Sequence, residues 1–134
     1  MSETKVPDNL KYSKEHEWVL IEGGKAKIGI TDYAQASLND IVGFDLADDV
    51  EVGGTIKTDE IFGEVNSVKA VSDLFTPIGG KIVECNEEAI DEPEKINEDP
   101  YGTWLIIIEP DNLDEDMSKL MDAAGYKEFI ATLE

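Results

Sequence analysis

The segment from residue 61 to residue 86 reads IFGEVNSVKAVSDLFTPIGGKIVECN, and its pattern predicts a β-hairpin. The first strand of the hairpin is indicated by the apolar residues Ile61, Gly63 and Val65. It ends at the polar break Asn66-Ser67, and a second extended run covers Val71 to Phe75. Lys69 lies between the two runs, so we expect it at the tip of the hairpin. Geometry alone gives such a lysine no function, because most turn lysines are solvated charges.

Other strands are predicted on both sides of this hairpin. A strand from about Glu15 to Ile21 turns at Gly23-Gly24, and Lys25 to Ile30 then alternates, with Ala, Ile and Ile on the inner face and Lys, Lys and Gly on the outer one. Ile41 to Leu46 forms a further strand. Trp104 to Ile108 is apolar on both faces, which is typical of a central strand. Short strands at this spacing predict a β-sandwich or flattened barrel.

Helical patterns occur at two places. A short helix is predicted near residues 32–38, where Thr31 can cap the first turn. After the last strand the apolar period becomes helical, and Asn112 is a candidate cap at the start of that region. The apolar stripes there consist of Met117, Leu120, Met121, Ala124, Tyr126, Phe129, Ile130 and Leu133. The stretch from Glu87 to Gly102 is rich in acidic residues and contains two prolines, so we expect an irregular surface excursion.

These patterns predict a mainly β fold of the α+β type in a single domain covering residues 1–134. Its β core would extend from about residue 10 to 110, and a helical C-terminal extension from about residue 112 to 133.

The charge of the chain excludes several classes of function. There are 31 acidic residues against 11 basic ones, all lysines, and the formal net charge is -20. Nucleic acid and anionic membrane surfaces are therefore unfavourable partners, and no apolar run approaches the ~20 residues needed to span a bilayer. The start MSETKVPDN has no signal or transit pattern, so a cytoplasmic location is expected. The chain is also expected to be a monomer. The charge would attract basic surfaces of partner proteins, although a salt-adapted source would also explain it.

The sequence offers no constellation for a transition metal. It contains one cysteine, Cys85, and one histidine, His16. A single cysteine excludes an intramolecular disulfide, and the pair matches no usual zinc or haem spacing. Cys85 lies in a strand pattern, so we interpret it as a small buried apolar residue.

The string from Glu64 to Phe75, with Pro77 and Gly80 after it, closely resembles the lipoyl-lysine hairpin of glycine cleavage system H proteins. Further blocks fall in the order of that family and near its spacing, and the resemblance covers roughly residues 10 to 130. These blocks are Tyr12, Glu15–Trp18, Gly29–Gln35, Gly43–Leu46, Ile96–Gly102 and Trp104–Ile106. Several ordered blocks in one small chain make the resemblance specific.

The resemblance implies a lipoyl/biotinyl-domain-like fold and lipoic acid attached to Lys69 as N6-lipoyllysine. Biotin carriers resemble this fold, but methionines typically flank their lysine, whereas Val68 and Ala70 flank this one. The implied function is a non-catalytic shuttle for the aminomethyl group of glycine. Its implied partners are the pyridoxal-phosphate-dependent glycine decarboxylase, the tetrahydrofolate-dependent aminomethyltransferase, dihydrolipoyl dehydrogenase and lipoate-attaching enzymes.

The resemblance also implies roles for individual residues. Asn66 lies where the family usually has a glutamate that is thought to guide lipoylating enzymes, and Gly80 lies at a family glycine. Glu17 and Asp73 correspond to residues that receive the aminomethyl group in a cleft. The ordinary alternatives are a strand-end carboxylate for Glu17 and a turn-capping aspartate for Asp73.

Two other functions compete with this one. Asn66 leaves open an H-like relay or reservoir of lipoate for other lipoyl-dependent or sulfur-oxidising enzymes. An unmodified acidic module could instead bind cations through Glu87 to Asp99, but that stretch lacks EF-hand spacing. An independent enzyme is unfavourable, because the sequence has no nucleophile–base pair and no phosphate loop.

Overall fold

The structure, a computed structural model, describes residues 4–133. This part of the chain forms nine strands and five helices. The strands are β1 (Lys11–Tyr12), β2 (Glu17–Glu22), β3 (Lys25–Ile30), β4 (Ile41–Leu46), β5 (Thr55–Ile56), β6 (Ile61–Ser67), β7 (Val71–Phe75), β8 (Gly80–Cys85) and β9 (Ile106–Pro110). The helices are α1 (Asp32–Leu38), α2 (Glu87–Asp91), α3 (Glu94–Glu98), α4 (Leu113–Ser118) and α5 (Ala123–Ala131).

The strands form two antiparallel sheets around one apolar core. The larger sheet has the order β1-β2-β3-β9-β8-β5, and the smaller has the order β4-β6-β7. Both sheets contribute to the same buried cluster, for example Ile28 and Ile108 from the first and Phe44 and Val65 from the second. The predicted mainly β architecture with a flattened sandwich is therefore confirmed. β9 is a central strand, as expected, but it covers Ile106–Pro110 rather than Trp104 to Ile108.

Strand β3 follows the predicted alternation except at Gly29. Ala26, Ile28 and Ile30 are buried as expected. Gly29 was expected on the outer face, but it is covered by the indole of Trp18, and a Cβ there would lie 2.6 Å from the ring carbon Cζ2. The Trp18 Nε1 donates a hydrogen bond to the Pro100 carbonyl at 3.0 Å. The glycine is needed for close contact with an aromatic ring rather than for a turn.

The excursion from residue 87 to 102 is more regular than the sequence suggested. It contains the short helices α2 and α3, which bury Ala89 and Ile96 against the core. The side chain of Asn86 caps α2 by accepting hydrogen bonds from the amides of Glu88 and Ala89 at 3.1 and 3.4 Å. The expectation of irregular structure was wrong because each helix has only five residues and buries a single apolar side chain, too few to produce a helical period.

The C-terminal helices are confirmed, with a break between them that the apolar period did not reveal. Met121 leaves the helical path and exchanges two backbone hydrogen bonds with Tyr12, each 2.8 Å long. Asp122 then caps α5 by accepting a hydrogen bond from Gly125 N at 2.8 Å. Asn112 precedes α4, but its side chain bonds to Glu115 instead of capping the helix backbone.

Cys85 at the end of β8 is half-buried and packs against the main core. The expectation of a buried apolar residue is thus met in part. Burial raises the pKa of its thiol, which keeps the thiol protonated.

The first prediction concerns Gly80, the first residue of β8. Its φ is +150°, and a Cβ at this position would overlap the carbonyl oxygen of Glu109 on β9. We expect Gly80→Ala to lower the free energy of unfolding by about 1–3 kcal/mol or more, measured by urea denaturation with tryptophan fluorescence. Gly53→Ala is the matched control, since Gly53 has φ +93° but a Cβ there would meet no atom within 4 Å. Equal losses in the two variants would mean that the close approach of β8 and β9 contributes nothing beyond backbone strain.

Candidate functional site

Lys69 lies at the tip of the β6–β7 hairpin, as the sequence predicted. The hydroxyl of Ser67 accepts hydrogen bonds from the amides of Lys69 and Ala70 at 3.1 and 3.0 Å. Ser67 also bonds to the Ala70 carbonyl, through its backbone amide at 2.8 Å and its hydroxyl at 3.1 Å. The turn is therefore fixed by one side chain. From the sequence, Ser67 was identified only as part of the polar break that ends the first strand, although a serine two residues before the tip is a known turn-forming signal.

The tip also rests on the end of helix α1. Val68 N donates to the Asp40 carbonyl at 3.0 Å, and the Lys69 ammonium donates to the Ser37 carbonyl at 3.1 Å. Carbonyls at a helix C-terminus carry partial negative charge, so they are suitable acceptors for an ammonium group. The lysine is exposed to solvent but is attached to a supported backbone.

The side chains beside Lys69 leave room for an enzyme and for an attached group. Val68 and Val71 are exposed aliphatic residues, and Ala70 is small and exposed. Nothing bulkier than these residues flanks the lysine in the turn. An apolar arm joined to Nζ by an amide bond therefore fits this site.

Asn66, the expected recognition residue, is paired with an acidic residue on the neighbouring strand. Its Nδ2 donates to Asp45 Oδ2 at 3.1 Å. Asp45 is opposite Glu64, and Glu64 is opposite Asp73, so three carboxylates form a row across β4, β6 and β7. Like charges directly opposite each other destabilise a sheet. The row places a concentrated negative charge close to the hairpin tip.

Glu17, the first residue of β2, is buried with only 1% of its surface exposed. One carboxyl oxygen accepts from the Ser13 hydroxyl at 2.6 Å, and the other accepts from the Phe75 amide at 3.2 Å. Burial raises the pKa of Glu17 to about 8, although the hydrogen bonds from Ser13 and Phe75 oppose that rise. Glu17 thus joins the larger sheet to β7 of the smaller sheet.

Asp73 has a different environment from Glu17. It is exposed and lies within β7, two residues before Phe75. It is not a turn-capping residue, so that alternative is wrong. Both carboxylates are therefore associated with β7, Asp73 as a residue of the strand and Glu17 through its hydrogen bond from the Phe75 amide. Glu17 is buried, whereas Asp73 is exposed.

His16 and Trp18 contact residues of other segments and so orient the first strands. His16 has φ +71°, and its Nδ1 lies 2.9 Å from the Tyr126 hydroxyl on α5. That hydroxyl is also 2.8 Å from Thr31 Oγ1, and the Tyr126 ring stacks on Tyr12 with centroids 4.6 Å apart. Burial lowers the pKa of His16, which keeps the imidazole neutral. These contacts attach helix α5 to β1 and to the segments at His16 and Thr31.

Asp116 is a structurally important residue that sequence reasoning missed. It is 4% exposed, and its carboxylate accepts from Thr58 Oγ1 at 2.9 Å and from Gly79 N at 3.0 Å. Helix α4 is thereby attached to the turn before β8. As one of 31 acidic residues, Asp116 carried no signal in the sequence.

Within residues 4–133 no group of three or more histidine, cysteine, aspartate or glutamate side chains could hold a metal ion. In the same residues no helix is long and apolar enough to cross a membrane.

The buried carboxyl of Glu17 generates the second prediction. Its pKa is about 8 in the folded chain against an ordinary value of 4.5, so between those values the folded chain holds a proton that the unfolded chain releases. The free energy of unfolding should therefore fall as pH rises through this window, by about 1.4 kcal/mol per pH unit relative to Glu17→Gln. Urea denaturation near pH 5 and near pH 8 measures this, and exposed Asp73→Asn should keep the wild-type trend. The same pH dependence in wild type and Glu17→Gln would contradict the raised pKa.

Comparisons with known proteins find relatives along almost the whole chain. A family model described as glycine cleavage H-protein matches residues 10–133. A probable glycine cleavage system H protein of Pyrococcus abyssi is 50% identical over 134 residues, covering 99% of this chain and 98% of that protein. The glycine cleavage system H protein of Bacillus subtilis is 52% identical over 124 residues, covering 92% and 94%. A crystal structure of a glycine cleavage system H protein from Mycobacterium marinum is 38% identical with a TM-score of 0.81, covering 92% of this chain and 97% of that one. This chain therefore belongs to the glycine cleavage H-protein family.

Proposed function

We propose that this chain is a single lipoyl-carrier domain that shuttles the aminomethyl group in the glycine cleavage system. The observation that carries the proposal is the exposed Lys69 at the tip of a hairpin whose turn is fixed by Ser67. Membership of the H-protein family supports the same function. The alternative of a lipoate relay for other enzymes depended on Asn66 alone, and the relatives do not favour it.

The attachment step uses Lys69 as a nucleophile. After the ammonium loses a proton and leaves the Ser37 carbonyl, Nζ attacks the carboxyl carbon of an activated lipoate. An amide bond forms, the activating group departs, and the proton passes to solvent. Once attached, lipoic acid supplies a disulfide for group transfer, while the protein supplies position and electrostatics.

The partners would be glycine decarboxylase, the aminomethyltransferase, dihydrolipoyl dehydrogenase and a lipoate-attaching enzyme. The charge of -20 and the row of Asp45, Glu64 and Asp73 support docking against basic surfaces of these proteins. In this role the chain is a non-catalytic monomer that acts in the cytoplasm, and the chemistry of each step belongs to the partner enzyme.

Asp73 and Glu17 would have different roles when the arm is loaded. Exposed Asp73 can accept a hydrogen bond from the ammonium of the transferred group, and Glu17 would support β7 beneath it through the Phe75 amide. The group is retained better when its amine is charged, because protonation occupies the nitrogen lone pair that would otherwise expel the sulfur. The rate of ammonia release from loaded Asp73→Asn protein tests this role of Asp73. Release at the wild-type rate would contradict it.

Lys69→Arg generates the third prediction, which tests the proposed function directly. Arginine keeps the positive charge, but its guanidinium stays protonated and forms no lipoyl amide. Incubation with lipoic acid, ATP and a lipoate ligase should add one lipoyl amide to wild type and none to Lys69→Arg, measured by intact mass. Lys81→Arg, which changes an exposed lysine on β8, is the matched control and should be modified normally. A lipoyl amide on the Lys69→Arg protein would show that the attachment site is another residue.

We also propose that lipoylating enzymes recognise the surface around Asn66. Gly80 would contribute to lipoylation only indirectly, by allowing the close approach of β8 to β9 in the folded protein. If Gly80 acts only in this way, the folded fraction of Gly80→Ala protein should be lipoylated at the normal rate. A slow rate for that folded fraction would assign Gly80 a direct role in recognition.

Asn66→Glu generates the fourth prediction. If the enzyme reads a carboxylate here, a charge-assisted hydrogen bond of about 1.5–3 kcal/mol should raise the rate of lipoylation. The substitution also removes the bond to Asp45 and places two like charges together. The double variant Asn66→Glu/Asp45→Asn relieves that repulsion and should be lipoylated faster still. Rates no higher than wild type in both variants would show that the enzyme reads another feature.

A further inference from the structure

The amide of Asn97 on α3 connects three points near the end of helix α1. Its Oδ1 accepts from Ile41 N at 2.7 Å, and its Nδ2 donates to the Asn39 carbonyl at 2.8 Å and to Gln35 Oε1 at 2.9 Å. Asn39 and Ile41 are the neighbours of Asp40 in the chain. Asn97 therefore holds the backbone on both sides of Asp40.

The backbone at Asn39 requires such support. Its φ is 65° and its ψ is -142°, a conformation that is costly for any residue with a Cβ. Residues in such conformations persist only where their surroundings fix them. The hydrogen bond from Asn97 to the Asn39 carbonyl supplies one of these constraints.

The supported loop and the end of helix α1 just before it carry the acceptors that hold the hairpin tip. Asp40 accepts from Val68 N at 3.0 Å, and Ser37, two residues before the strained Asn39, accepts from the Lys69 ammonium at 3.1 Å. Asn97 itself makes no contact with Lys69 among its hydrogen bonds, so it acts only through this loop.

Helix α3 is a firm base for this contact. Ile96, the residue before Asn97, is completely buried in the main core. The Thr103 hydroxyl donates to the Lys95 carbonyl at 3.2 Å, which ties the helix to the following segment. The position of Asn97 is therefore set by the core rather than by the loop that it holds.

We propose that Asn97 is a positioning residue for Lys69, fixing the loop at Asn39 and Asp40 so that the hairpin tip presents its amine to the lipoate-attaching enzyme. The inference rests on the proposed function of Lys69. Orientation of a nucleophile contributes strongly to rate, and a displacement of about 1 Å can cost about 100-fold.

The test compares Asn97→Ala and Asn97→Asp with Asn86→Ala. Asn86 is matched to Asn97, because it is also a half-buried asparagine with three side-chain hydrogen bonds, none of them to the loop, and it directly precedes the same excursion. Asn97→Asp keeps the volume and the acceptor for Ile41 N but loses both donors. The two measurements are kcat/KM for attachment of lipoic acid by a lipoate ligase with ATP, and hydrogen exchange of the Val68 amide in the unmodified protein.

We expect both Asn97 variants to lower kcat/KM by about tenfold and to speed exchange at Val68 by a similar factor, since the supporting acceptor becomes mobile. Asn86→Ala should leave both quantities near wild type even where it lowers overall stability. Adding Asn39→Gly to either Asn97 variant should bring kcat/KM and the exchange rate at Val68 back towards their wild-type values, because glycine adopts the Asn39 conformation without strain.

Wild-type lipoylation and wild-type Val68 exchange in a folded Asn97 variant would overturn the proposal. Equal effects in Asn86→Ala would also overturn it, because they would show a general loss of stability. If wild-type protein acquires no lipoyl amide on Lys69, the proposed function fails, and the exchange comparison still decides whether Asn97 supports the tip.

Discussion

The whole arrangement depends on apolar contact between two antiparallel sheets. Side chains of β3 and β9 pack against those of β4 and β6 in a single cluster, and residues such as Ile28, Phe62 and Ile108 are fully buried there. Burial of this kind contributes about 1.5–3 kcal/mol for each large side chain. Within the smaller sheet, β4 and β6 approach each other so closely that a Cβ on Gly63 would lie 2.5 Å from the Asp45 carbonyl oxygen. Because the packed sheets do not deform easily, a hairpin that projects from them is held in one orientation.

Polar side chains then fix the parts that the apolar core does not reach. Glu17 holds β7, Asp116 holds the turn before β8, and Asn97 holds the end of α1. Each of them bonds to a backbone amide or carbonyl of another element, where an unpaired group would be costly. No buried side-chain nitrogen or oxygen lacks a partner within residues 4–133. The core supplies stability, and these three residues supply the positions of the segments around the site.

The charged side chains of the chain contribute little to its stability. In the described residues the ion pairs, Lys27–Glu22 and Lys95 with Glu88 and Glu92, all involve partly exposed side chains, so each contributes little. The row of Asp45, Glu64 and Asp73 is unfavourable for the sheet that carries it. A fold retains such a row at little cost only where solvent screens it, and there it can attract basic partners.

The sequence by itself determined the features that depend on neighbouring residues. Alternation in β3, the hairpin with Lys69 at its tip and the helical period after β9 were all predictable, because each depends on residues a few positions apart. Only the tertiary structure decided that Glu17 is buried beneath Phe75, 58 residues away, and that Asn97 holds Ile41, 56 residues away. It also decided that the excursion is helical and that Gly29 accommodates Trp18. Local pattern carries no information about such contacts, since the burial and partner of a polar side chain are set by the packing of distant segments.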